Sequence, residues 1–148
     1  MKAAYLYGPK DLRFVDIEDP VPGPGEVVVK PKVALTCGTD VKQYMRGYPL
    51  LEPPFPFGHE ASGVVVAVGE GVTKFKVGDR VVPHATAPCN TCYFCKRGQH
   101  SMCDNFLSNQ GAFAELRCSA LRSQSGLAAA GRGRGWPAPE PVKTLHIE

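Results

Sequence analysis

Apolar positions fall in short runs of four to ten residues, and glycine, proline or asparagine-type turn residues close nearly every run. The opening MKAAYLYGPKDLRFVDIEDP predicts two strands around a Gly8-Pro9-Lys10-Asp11 turn. Leu12, Phe14 and Ile17 are the apolar positions of the second strand, with imperfect alternation near Val15. Val21-Pro22-Gly23-Pro24-Gly25 cannot be helical and reads as a turn. Glu26 to Leu35 predicts a strand whose valines and alanine suit burial. Thr36 to Asp40 then breaks the run, and Thr39 or Asp40 is placed to cap a short helix through Met45. Leu50 to Phe57 is proline-laced loop, Ala61 to Val68 a buried strand, and Gly69-Glu70-Gly71 a turn. A further turn and strand occupy Val77 to Val82, and Gly111 to Leu116 resumes a strand. Many short strands with regular turn signals predict a mainly β fold of barrel or sandwich type.

The pattern changes near Cys118. From there to Pro141 the chain is rich in Ala, Arg, Gly, Ser and Pro and shows neither a period of two nor one of 3.6. This divides the chain into a domain over residues 1–117 and an atypical, poorly ordered tail over 118–148. A length of 148 residues suits one domain with a core better than two. The net charge of +3 points to no nucleic-acid partner, and no apolar run nears the ~20 residues that span a bilayer.

Chemistry enters with Cys89, Cys92, Cys95 and Cys103 in PCNTCYFCKRGQHSMC. Intervals of two, two and seven residues let one folded-back loop bring four thiolates to the corners of a tetrahedron. Zinc suits such a set because it accepts four sulfurs without directional preference; a four-sulfur iron site is the lesser alternative. Disulfides would suit a secreted chain, whereas this one starts with a hydrophilic, strand-like segment and no signal sequence. Reduced, metal-holding cysteines therefore predict a cytoplasmic location.

A second set is sparser. Cys37 stands at a predicted strand end, and His59-Glu60 at a predicted strand start. Adjacent strand ends can place a thiolate and an imidazole on one ion, with Asp40 accepting the other imidazole N–H. On their own, Cys37 reads equally as a small buried hydrophobe and His59 as a satisfied polar residue.

The order of these segments is what carries a resemblance. Cys37-Gly38-Thr39-Asp40, then FPFGHEASGVVVAVGEGVTKFKVGDRVV, the four-cysteine lobe and Gly111-Ala112-Phe113-Ala114-Glu115 closely resemble the N-terminal half of zinc-dependent medium-chain dehydrogenases. Alcohol, sorbitol and threonine dehydrogenases are of this type. The resemblance covers residues 1–116 and implies a GroES-like β-rich catalytic domain. It implies that Cys37 and His59 hold a catalytic zinc, with Glu60 beside the metal or exchanging onto it. Thr39 matches the hydroxyl that bonds the substrate oxygen, and the four cysteines match a structural-zinc lobe at about 88–104. The implied chemistry is hydride transfer from a small-molecule alcohol or polyol to NAD(P).

The chain also departs from this pattern. Where relatives often carry a histidine two residues beyond the Asp, it has Lys42. No nucleotide site is legible: Gly69-Glu70-Gly71 lies between strands, and Trp136 takes the third-glycine place of Gly131-Arg132-Gly133-Arg134-Gly135. A Rossmann domain, which the resemblance would lead one to expect, is thus absent from the reading. Glu140-Pro141-Val142 with His146 resembles the segment that brings a third zinc ligand, which makes Glu140 a candidate in an otherwise frame-altered tail. Two functions follow as expectations: the N-terminal catalytic domain of a zinc-dependent oxidoreductase, or a truncated, non-catalytic zinc-binding domain or subunit lacking the cofactor domain.

Overall fold

The computed structural model describes residues 1–120 together with the backbone strands at 127–130 and 142–145. In chain order these are β1 (Lys2–Gly8), β2 (Asp11–Asp16), β3 (Glu26–Leu35), α1 (Gly38–Arg46), β4 (Phe55–Pro56), β5 (Glu60–Val68) and β6 (Arg80–Pro83). They are followed by β7 (Thr86–Ala87), β8 (Leu107–Ser108), β9 (Arg117–Ala120), β10 (Leu127–Ala130) and β11 (Val142–Leu145). One sheet runs β2-β1-β4, a second β10-β11-β6-β5-β3-β9, and β7 pairs with β8 alone. The fold is mainly β, as the short alternating runs require.

The antiparallel β3–β5 pair is the spine, running from Val27↔Val68 to Leu35↔Glu60 with two register shifts. Its valines close one core: Val27, Val29, Val65, Phe75 and Val81 are buried together. Each such side chain taken from water contributes about 1.5–3 kcal/mol. Ala4, Leu6, Phe55 and Phe57 form a second cluster beneath the β1–β2 sheet. β2 itself lies at the edge, and Phe14, one of its apolar positions, is 79% exposed. Among the described residues β2 pairs only with β1.

Two expectations change. The helix cap is Cys37, whose sulfur accepts from the first-turn backbone while Asp40 returns a bond to the Cys37 N–H at 2.9 Å. Thr39 and Asp40 thus lie inside the first turn. Gly111 to Leu116 is turn rather than strand, apart from an Ala3↔Ala114 bridge. Gly111 takes φ +94°, and the N–H groups of Gly111 and Ala112 bond the Gly58 carbonyl at 2.8 and 3.0 Å, so this backbone serves a loop instead of a ladder. β9 pairs Arg117↔Val29 through Ala120↔Glu26. β11 runs parallel to β6, and β10 pairs with β11. Glu140 and the Arg-Gly run lie outside the described residues.

Candidate metal centres

The Leu35↔Glu60 pairing brings the end of β3 to the start of β5. Two residues beyond Leu35, Cys37 caps α1; one residue before Glu60 stands His59. Sγ of Cys37 lies 3.3 Å from Nε2 of His59. An ion holding sulfur at about 2.3 Å and nitrogen at about 2.0 Å tetrahedrally would set these atoms about 3.6 Å apart. Behind the ring, His59 Nδ1 is 3.0 Å from Asp40 Oδ1. The two atoms are within ion-pairing reach but off hydrogen-bond alignment, and both are buried without another partner. Asp40 is 1% exposed, and its other oxygen is taken by the Cys37 N–H. Glu60 Oε1 lies 3.7 Å from His59 Nε2, with the carboxylate 43% exposed. Cys37, Asp40 and His59 therefore form a compact donor group, and Glu60 stands on its solvent side. Thr39 is exposed one residue before Asp40, and its N–H donates to Cys37 Sγ at 3.3 Å.

Gly58 sets where His59 enters. It holds φ +85°, and a Cβ there would come 2.5 Å from the Phe113 ring. Any other residue meets both the left-handed penalty and the ring.

The second group is local in sequence. Sulfurs of Cys89, Cys92, Cys95 and Cys103 all lie within 4.8 Å of one another, on a lobe between β7 and β8. Short 3₁₀ turns at Cys95–Arg97 and His100–Met102 fold it back, aided by Gly98 at φ +73° and Asn90 at φ +59°. Backbone amides aim at sulfur: Cys89 N–H to Cys103 Sγ at 3.2 Å, Cys92 N–H to Cys89 Sγ at 3.3 Å and Asn105 N–H to Cys103 Sγ at 3.4 Å. Such donors favour thiolates. The Thr91 hydroxyl, followed by the Thr91 and Cys92 amides, holds the Cys89 thiol down to about 5. The Cys95 amide lowers that of Cys92, while burial pushes Cys95 up to about 12. Four converging sulfurs with amide support fit zinc, which would displace the remaining protons.

Sequence reasoning passed over Arg117. It is 2% exposed, donating from Nη1 to the His59 carbonyl at 3.2 Å and from Nη2 to the Asn109 carbonyl. Burial lowers its guanidinium to about 10, so it stays charged at neutral pH. The signal was an arginine just ahead of the apolar-looking Cys118, at the point where the pattern seemed to end.

Known proteins give the same picture. Residues 23–124 match the alcohol dehydrogenase GroES-like domain. The chain is 39% identical over 119 residues to a sorbitol dehydrogenase of Bombyx mori, covering 77% of this chain and 34% of that protein. It is also 39% identical over 122 residues to an L-threonine 3-dehydrogenase of Pyrococcus furiosus, covering 78% and 34%. An alcohol dehydrogenase of E. coli CFT073, solved with NADH, superposes with a TM-score of 0.73 at 36% identity, over 81% of this chain and 36% of that one. The chain thus spans about a third of the length of these relatives. Fold, sulfur lobe and match together place it: the chain belongs to the alcohol dehydrogenase GroES-like domain family.

Proposed function

We propose that this chain is the metal-holding catalytic domain of a cytoplasmic, zinc-dependent oxidoreductase that takes an alcohol or polyol and passes hydride to NAD(P). The observation that carries the reading is the 3.3 Å approach of Cys37 Sγ to His59 Nε2, with Asp40 buried behind the ring. Related proteins support the substrate class, being sorbitol, threonine and alcohol dehydrogenases, and one related structure holds NADH. Among the described residues no helix is long and apolar enough to cross a membrane.

Zinc held by Cys37 and His59 would supply Lewis acidity, which makes a bound alcohol a stronger acid. The chain's own residues do the rest. Asp40, buried 3.0 Å behind Nδ1, faces the side of the ring away from Cys37 and leaves Nε2 free to ligate. Glu60 lies on the open side, placed to hold the metal when no substrate does. Thr39 is exposed at the helix start, and with Lys42 where relatives often have histidine the proton leaves through the Thr39 hydroxyl and solvent. Glu140 remains the candidate for a third protein ligand. The lobe's four sulfurs leave no open position, so its role is structural.

Metal analysis of purified chain tests the reading. Two zincs per chain are expected, one removed readily by chelator and absent in Cys37→Ser. One tight zinc in both proteins would overturn it. Activity is tested by grafting residues 23–116 into a sorbitol-type dehydrogenase in place of the matching segment. A folded, two-zinc graft that oxidises no alcohol or polyol with NAD+ or NADP+ would sink the catalytic assignment.

A further inference from the structure

His59 is held from two directions. Its imidazole faces Cys37 and Asp40, and its backbone carbonyl is held by Arg117 Nη1 at 3.2 Å. The other arm of the same guanidinium reaches the carbonyl of Asn109. Asn109 is 4% exposed and in turn grips the chain that leads into the sulfur lobe. Its N–H donates to the Ala85 carbonyl at 2.8 Å, and its Nδ2 to the His84 carbonyl at 3.1 Å. One residue on, Thr86↔Ser108 and Ala87↔Leu107 close the stem of the lobe, with Cys89 and Cys103 just inside it. A single side chain therefore bridges the start of β5 to the root of the four-cysteine loop.

This bridge is expensive as packing. Among the described residues Arg117 has no carboxylate partner, and its buried Nε has no acceptor. A buried charge in such a state costs several kcal/mol, and an apolar residue of similar volume often serves stability as well or better. What an apolar residue cannot do is hold two carbonyls from different segments at one fixed separation.

We infer that Arg117 is a positioning residue that couples the two metal centres: metal in the four-cysteine lobe fixes the stem and Asn109, and Arg117 transmits that to the backbone of His59. Zinc affinity at Cys37–His59 then rises when the lobe is loaded, and by linkage the lobe binds more tightly when the Cys37–His59 group is loaded. The inference rests on the two-centre reading above, and the path is a continuous set of hydrogen bonds rather than mere proximity.

The test is a competition titration of the full chain with zinc against a chromophoric chelator. Arg117→Met keeps length and apolar bulk but removes every donor, and Arg117→Lys keeps the charge with reach to only one carbonyl. Arg117→Met is expected to lower affinity at the weaker site tenfold or more while the tight site stays within twofold, with Arg117→Lys falling between. Cys103→Ser, which breaks the lobe, is expected to weaken the Cys37–His59 group in the wild-type background and to add nothing once Arg117→Met is present. Weak-site affinity within twofold of wild type, an equal loss at both sites, or additive effects of the two substitutions would each overturn the coupling. Should Arg117→Met not fold, Asn109→Ala cuts the His84 link while leaving Arg117 in place. It is expected to weaken the same site, and an unchanged weak site there overturns the inference. A wild-type chain that takes up one zinc overturns both readings; two zincs with no response to these variants overturns this one alone.

Discussion

At the scale of single residues, the site depends on positions that do no chemistry. Gly58 is the sharpest case, since its φ of +85° and the Phe113 ring 2.5 Å from a would-be Cβ both forbid a side chain. Gly58→Ala is expected to cost about 2–4 kcal/mol, the sum of a left-handed alanine and an overpacked ring. Urea unfolding of the two proteins checks it. Asp40→Asn keeps an acceptor beside His59 but removes its charge. Zinc affinity at Cys37–His59 should fall about 10–100-fold, as measured by chelator competition, with the lobe unaffected. Cys118 reports on the rim of the sheet. Burial, then Glu26 at 3.2 Å from its sulfur, pushes this thiol up to about 12 from an ordinary 9.0. As pH rises from 9 towards 12 the unfolded chain loses a proton that the native chain keeps, so stability falls over that window. Melting curves at pH 8 and pH 10 should show wild type losing more than Cys118→Ala; parallel losses would remove the assignment. The roles of Gly58 and Cys118 are not legible in sequence, because each depends on a neighbour more than fifty residues away or on a backbone angle, whereas Asp40 was expected beside the His59 ring.

At the scale of elements, the lobe and the sheet differ in what holds them. The two core clusters contain no residue between Pro88 and Asp104, and the lobe's regular structure amounts to two single 3₁₀ turns. Metal must therefore supply most of its folding energy. Cys95→Ser is expected to lose one tightly held zinc and to leave the lobe amides exchanging freely with solvent. Amides of the β3–β5 pair should stay protected, and hydrogen exchange reads both at once. The lobe was fully legible, since its four donors fall within fifteen residues and their spacing alone closes the loop. β3 and β5 were legible for a related reason, being dense in valine and bounded by glycine or proline. The 111–116 turn was not, because its apolar letters imitate a strand while its amides are spent on Gly58 and Phe57.

At the scale of the whole molecule, the chain carries two metal-capable groups on one β framework and covers about a third of the length of its relatives. What the sequence determined by itself was everything that local spacing can express: a mainly β chain, a four-sulfur lobe and the ordered motifs of a dehydrogenase domain. Only the tertiary structure decided that Cys37 and His59 meet. Their contact depends on the register that sets Leu35 against Glu60 across a bulged pair, and a slip of one residue would turn those side chains to the other face. The same is true of Arg117, whose two carbonyl partners come from segments 58 and 8 residues distant. Residues that act within one loop leave their geometry in their spacing, whereas residues brought together by strand register and buried hydrogen bonds leave none.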